Sequence, residues 1–222
     1  MKLKKPKIII LSGISIDGKM TIKRGFSSKF FDKMLDKEAF KPLLELRKEC
    51  DGIMVGRNTV VIDNPSLTSP NNENLKRIIP TSSLRIPLTA KIFRIHPQNT
   101  IIATISSANK KKIRKILKTG ARVIFCGKRR LNFKLLMNKL YNLGIRTLLV
   151  EGGGLLNYSL LYNRLVDEIR VLFLPFVVGN KDAPSFFDGR GFPNKIIKLK
   201  LKSVKMIARK YILVTYSVIY ER

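Results

Sequence analysis

The chain has no tryptophan, two cysteines and a single histidine in 222 residues. Cys50 and Cys126 form no C-x-x-C pair and His96 stands alone. That scarcity excludes the common structural zinc clusters, and it excludes zinc deaminase chemistry, which needs a histidine beside paired cysteines. No metal site is expected. Each cysteine borders an apolar segment, so a reduced, partly buried thiol is expected at both. Long hydrophobic runs are also missing. The longest, 8–11 and 171–174, are far too short to span a bilayer. The basic start leads into a short β-like run and not into a signal-peptide core, so a cytoplasmic protein without a membrane partner is expected.

Acidic residues are the other shortage. Fifteen Asp and Glu stand against 44 Lys and Arg, a formal charge of +29. Such an excess suits an anionic partner: nucleic acid, an anionic membrane surface or a phosphorylated substrate. Lys2, Lys4, Lys5 and Lys7 open the chain, Lys110, Lys111, Lys112 and Arg114 start a helix, and Lys128, Arg129 and Arg130 follow a strand. Lys198, Lys200 and Lys202 alternate with Ile197, Leu199 and Leu201, the pattern of a half-exposed strand. With cations in every element, the charge reads as a basic surface more than as one binding face. Any nucleic-acid binding is expected to be non-specific, weak and lost at moderate salt.

With 45% hydrophobic residues the chain can bury a sizeable core, and one domain over 1–222 is the economical reading. Short Ile- and Val-rich runs alternate with helical patterns, the rhythm of an α/β fold. Strands are predicted at 7–12, 52–55, 77–79, 100–104, 122–126, 146–150, 168–174, 196–206 and 211–220. Helices are predicted at 42–49, 108–118 and 132–142, the last two closed by Gly120 and Gly144 where a C-cap belongs. The final two strands, joined by the short basic link 207–210, read as an antiparallel hairpin closing a mostly parallel sheet. The longest unstructured stretch, 63–74, is predicted to be an exposed functional loop.

Four segments carry possible chemistry. Glu151-Gly152-Gly153-Gly154 lies between a strand and a helix that begins near Leu155. Glycines there let backbone N–H groups approach a phosphate, and the helix N-terminus adds positive potential; a tight packing turn would need the same residues. Gly56-Arg57-Asn58-Thr59 is a second strand-to-helix turn, with a guanidinium and a hydroxyl that could grip an anion or merely decorate an N-cap. Thr81-Ser82-Ser83 puts hydroxyls at another strand end. Ser15-Ile16-Asp17-Gly18-Lys19 follows the first strand; it is either a plain turn or an acid and a base that orient a polar ligand. Ligands of such sheets gather at the carboxyl ends of strands, so the set tells more than any one member.

Taken in order, these segments resemble the reductases of riboflavin biosynthesis. The resemblance rests on Ser15-Ile16-Asp17-Gly18-Lys19, Asp51 to Gly56 running into Thr59, Asp63-Asn64-Pro65 with Leu67-Thr68, and Val150 to Gly154, and it spans roughly 7–220. It is closest in kind to the stand-alone archaeal type and to the reductase half of the bacterial deaminase–reductase. It implies a dihydrofolate-reductase-like α/β fold, a homodimer, and NADPH-dependent reduction of a phosphorylated ribosylaminopyrimidine to its ribitylamino form. It further implies cofactor contacts at Arg57, Thr59, Asp63, Thr81, Ser82, Ser83, Leu84, Gly127, Gly152, Gly153, Gly154 and Leu155. Substrate contacts fall to Ser15, Asp17, Lys19 and Glu151, with the last three as the catalytic set. Two departures stand out: Thr81 replaces a common Asp, and Ser66 replaces an Arg that would hold the substrate phosphate, leaving Lys19, Lys23 or Arg24 to serve. The competing readings are a dihydrofolate reductase of the same superfamily and, outside enzymes, a basic nucleic-acid-binding protein, which would explain the charge but not the ordered turns.

Overall fold

A computed structural model describes residues 3–192 and 196–220. In chain order its elements begin with β1 (Lys7–Ser15), α1 (Lys29–Asp32), α2 (Lys41–Glu49), β2 (Gly52–Met54), α3 (Arg57–Asp63) and β3 (Lys76–Pro80). Then come α4 (Lys91–Arg94), β4 (Thr100–Thr104), α5 (Lys110–Leu117), β5 (Arg122–Phe125), α6 (Phe133–Asn142) and β6 (Thr147–Val150). The chain closes with α7 (Gly154–Tyr162), β7 (Glu168–Leu174), β8 (Lys198–Ile207) and β9 (Tyr211–Ile219). Two compact units result, one of residues 1–7 and 46–149, the other of 8–45 and 150–222.

In the first unit the strand order is β5-β4-β3-β2-β6. The pairs β2–β3, β3–β4 and β4–β5 are parallel, with Gly52 opposite Lys76, Arg77 opposite Thr100 and Ile101 opposite Arg122. Parallel strands need helical crossovers that cover their faces, and β4 is accordingly buried at all five positions. Ile53, Ile79, Ile102, Val60 and Ile116 belong to one buried cluster. Leu67 belongs to it too, at 2% exposure, so the 63–74 loop is no simple exposed loop: its middle is a core anchor. Arg77 is buried in β3, where its fork donates to the Ser66 and His96 carbonyls and ties that loop to the 95–99 turn. Asn132 caps α6 by accepting the Leu135 N–H at 2.9 Å, as its helix-start position suggests.

The second unit orders its strands β1-β7-β9-β8. β1 and β7 are parallel, with Ile9 opposite Glu168; β7–β9 and β8–β9 are antiparallel. The mostly parallel arrangement finished by a hairpin is the α/β class expected from sequence. Ala208 and Arg209 make the hairpin turn with positive φ at both positions, which matches the twist of the flanking strands. β8 departs from expectation. It is exposed along both faces, with Leu201 at 54%, Val204 at 58% and Met206 at 69%, because it ends the strand order and nothing in the described chain covers it. Its Lys202 reaches Glu168, which is buried and also bound by Arg170 at 2.7 Å.

Candidate active site

In the second unit the turn after β1 is organised by Ser15 and Asp17. Gly18 takes φ +78, and its N–H donates to the Ser15 carbonyl at 2.9 Å. The Ser15 hydroxyl donates to Asp17 Oδ1 at 2.6 Å and accepts the Lys19 N–H at 2.9 Å. Ser15 is fully buried, so its hydroxyl works inside the turn. Asp17 also accepts the Val178 and Gly179 N–H groups, at 3.0 and 2.8 Å. Hydrogen bonds from the Ser15 hydroxyl first, then from those two amides, hold its carboxyl at about 2. It is a fixed carboxylate that clamps the 175–192 segment. Lys19 Nζ donates to the Lys181 and Ala183 carbonyls, at 3.2 and 3.4 Å, which leaves one of its three N–H groups for a ligand.

The glycine segment after β6 meets the same turn. A Cβ on Gly152 would stand 2.8 Å from Met20 Cε and 3.5 Å from the Ser12 hydroxyl. The Gly152–Gly153 peptide is cis. Ser185 lies between the segments: it bridges Lys19 in strand fashion, and its carbonyl would be 2.3 Å from a Cβ on Gly154. Glu151 is half-buried at the head of this segment. The parts carrying Asp17, Lys19 and Glu151 are therefore neighbours despite their separation in sequence. Gly153 has nothing within 4 Å of its Cβ position, and no side chain caps the N-terminus of α7 that follows. Leu155 is exposed on the first turn of that helix.

Sequence reasoning missed the residues that hold this unit's loop in place. Asn157, fully buried in α7, donates to the Phe186 carbonyl at 2.9 Å, and Asn180 donates to the Ile22 carbonyl at 3.0 Å. Asp188 takes Arg24 at 3.0 Å, so Arg24 is already paired, and Lys23 lies over the Phe26 ring at 4.5 Å. The glycine- and proline-marked stretch Pro184 to Gly191 is the one signal that could have drawn attention to this loop.

In the first unit, three strands end in polar turns. After β3, Thr81 accepts the Leu84 N–H at 3.3 Å through its hydroxyl; Thr81 and Leu84 are buried while Ser82 and Ser83 are exposed. After β4, the Ser106 N–H donates to the Gly127 carbonyl at 2.9 Å, and the Ser107 hydroxyl donates to the Lys128 carbonyl at 2.7 Å. Gly127 has φ +122, and a Cβ there would lie 2.1 Å from the Arg130 carbonyl, so the close turn admits only glycine. Arg57, half-exposed at the start of α3, donates to the Arg85 carbonyl at 3.3 Å, and Lys112 Nζ reaches the Ser83 carbonyl at 3.5 Å. Two cations thus border the Ser82–Ser83 turn. Thr59 and Asp63 sit half-exposed on the first and last turns of α3. Both cysteines are buried thiols, and burial pushes the Cys126 thiol up to about 11. Among the described residues no His, Cys, Asp or Glu group could hold a metal ion, and no helix is long and apolar enough to cross a membrane.

The family model of the RibD C-terminal domain matches residues 6–213. A 2,5-diamino-6-ribosylamino-4(3H)-pyrimidinone 5′-phosphate reductase of Aquifex aeolicus is 42% identical over 205 residues, 90% of this chain and 92% of that protein. The protein of the same description from Methanothermobacter thermautotrophicus is 35% identical, over 89% of this chain and 92% of its own. Among solved structures, Acinetobacter baumannii RibD superposes with a TM-score of 0.80 at 20% identity, covering 97% of this chain and 58% of that one. Riboflavin Biosynthesis Reductase Rib7 of Saccharomyces cerevisia superposes at 0.75 with 19% identity, over 99% and 92%. Those two likenesses speak for the fold, and the family match and the closer relatives speak for descent: the chain belongs to the RibD C-terminal domain family.

Proposed function

We propose that this protein is the reductase of riboflavin biosynthesis that converts the ribosylamino group of 2,5-diamino-6-ribosylamino-4(3H)-pyrimidinone 5′-phosphate to the ribitylamino group, with NADPH as reductant. The observation that carries the reading is the 42% identity to a reductase of that description over nine-tenths of both chains. The geometry supports it, since the turn 15–19 and the segment 151–155 lie against each other in the second unit.

The residues present fit a dinucleotide phosphate. Gly153 leaves open space before the uncapped N-terminus of α7, and such a terminus attracts anions through its free N–H groups and dipole. The exposed Ser82 and Ser83 hydroxyls, bordered by Arg57 and Lys112, fit a further phosphate. Thr59, Asp63 and Gly127 in the first unit, and Leu155 in the second, are the further cofactor contacts that the family resemblance suggests. When bound, the nicotinamide supplies the hydride. The chain's part is placement, which can supply much of the rate of a reaction between two held partners. Asp17, as a carboxylate with three hydrogen bonds, fixes the turn; Lys19 offers its remaining N–H to the substrate; Glu151 contributes a carboxyl group at the reacting end.

The protein works as a cytoplasmic homodimer in this reading, with the exposed apolar side chains of β8 as the contact. The test is oxidation of NADPH in the presence of the enzymatically prepared ribosylaminopyrimidine phosphate, with dihydrofolate assayed beside it. Turnover of the pyrimidine alone is expected; turnover of dihydrofolate alone would replace this reading by the superfamily alternative.

A further inference from the structure

The charge is not shared evenly between the two units. The first unit holds 25 of the 44 Lys and Arg but only 4 of the 15 Asp and Glu, although the units are equal in length. Between Glu73 and Glu151 there are 18 Lys and Arg and no acidic residue at all. Among the described residues, none of those 18 is paired with a carboxylate. Unpaired, exposed cations of one sign repel one another, so a surface of this kind gains free energy when an anion covers it.

The cations are also arranged. Ile116 of α5 is buried and Ile113 packs on the same core cluster, which turns the rest of the helix outward. Lys110, Arg114 and Lys118 form one exposed row, Lys111 and Lys115 another, with about 6 Å of rise between successive members. Exposed Arg122 stands on β5, the strand that ends the unit's order, and exposed Lys128, Arg129 and Arg130 follow that strand. Ser107, which binds the Lys128 carbonyl, joins this turn to the start of α5. Phe125, 42% exposed on β5, offers a ring face to a base.

We infer that α5, β5 and the 128–130 turn form a docking surface for the phosphate backbone of a single-stranded nucleic acid, read without regard to sequence. A lipid surface fits less well, because a helix that docks on a bilayer must spend its apolar face there, and α5 has spent its own on the core. The surface adjoins Lys112 and Gly127 of the cofactor reading above but rests on the exposed rows of α5, not on that reading.

The experiment is fluorescence anisotropy of a labelled 20-nucleotide oligouridine against the full chain over a range of KCl. If five phosphates are neutralised, the log–log slope is about −3.5, and a fourfold rise in salt weakens binding by about a hundredfold. The triple change K111E/K115E/K118E should reduce the steepness of that slope by about 2 and leave reductase turnover intact, which shows the variant folded. The matched change K29E/K33E/K37E, on exposed cations of the second unit, should leave binding within about twofold. Equal weakening by both variants would overturn the inference, since binding would then follow net charge alone. So would stoichiometric displacement by NADPH, tighter binding to phosphatidylglycerol vesicles than to the oligonucleotide, or no binding at the lowest salt.

Discussion

Replacing Gly153 and Gly154, neighbours at the head of α7, by alanine should have opposite consequences. At Gly154 the new Cβ would sit 2.3 Å from the Ser185 carbonyl oxygen and 2.8 Å from Asp188 Cβ. Ordinary contact begins at 3.4 Å, so the Ser185 backbone must withdraw by about 1.1 Å. Overpacking of that kind costs about 1–3 kcal/mol, and losing the bond from the Asp188 N–H to the Gly154 carbonyl, now 3.1 Å, adds about 1 kcal/mol. Gly154→Ala should therefore destabilise by about 2–4 kcal/mol, a fall in Tm of roughly 5–15 °C for a chain of this size. At Gly153 the Cβ meets nothing within 4 Å, and φ is −76°, a value any residue adopts. Gly153→Ala should leave Tm within about 2 °C, yet its methyl would stand where a phosphate approaches and should raise the NADPH KM about tenfold, near 1.4 kcal/mol. Scanning calorimetry and steady-state kinetics separate the two effects. A stable Gly154→Ala would refute the close approach, and an unchanged KM in Gly153→Ala would refute the phosphate cradle.

Arg57→Ala should raise the KM for NADPH by about ten- to a hundredfold and leave that for NADH nearly unchanged, the loss expected for one charge-assisted bond to the 2′-phosphate. Equal weakening of both cofactors would move Arg57 to the shared pyrophosphate, and no change would exclude it. Arg77→Met removes the buried fork on the Ser66 and His96 carbonyls and should cost about 3 kcal/mol in urea unfolding; Arg77→Lys should not rescue it, because an ammonium cannot span both acceptors. An unchanged urea midpoint would show that the fork does not hold the loop. The depressed Asp17 carboxyl contributes stability that is complete above its ordinary value of 3.8 and is lost as pH falls through about 2. Asp17→Asn should therefore flatten the acid limb of stability over that window, and an identical limb in variant and parent would show that the clamp is not formed.

Much of the architecture was legible because it rests on local signals. β4 and β7 fall on the residues that their apolar runs mark, and Asn132 caps α6 where a polar residue precedes helical spacing. The hairpin turn was visible as a short link between two long strands, although the positive φ of Ala208 and Arg209 was not, since neither residue type favours it. What escaped depends on contacts across the chain. Asp17 is bound by amides 161 and 162 residues away, and no local pattern announces such a partner. The burial of Leu67 was hidden for a related reason: a lone leucine in a Pro-, Asn- and Ser-rich stretch reads as loop until a core is built around it. The alternation in β8 misled, because period-two patterning reports that one face seeks cover without saying that the cover lies within the same chain. The uneven charge was legible in part, since 74–150 carries 18 Lys and Arg and no acid, but that this stretch makes up most of one compact unit was not.

The carbon that is reduced decides between this reading and its alternatives. The direct measurement uses NADPH carrying deuterium at the transferred position, the ribosylaminopyrimidine phosphate as substrate, and mass and NMR spectra of the product. A ribitylamino product with a single deuterium at C1′ is expected. A product labelled on the pyrimidine ring, or an unlabelled pyrimidine beside labelled tetrahydrofolate in a mixed assay, would contradict it.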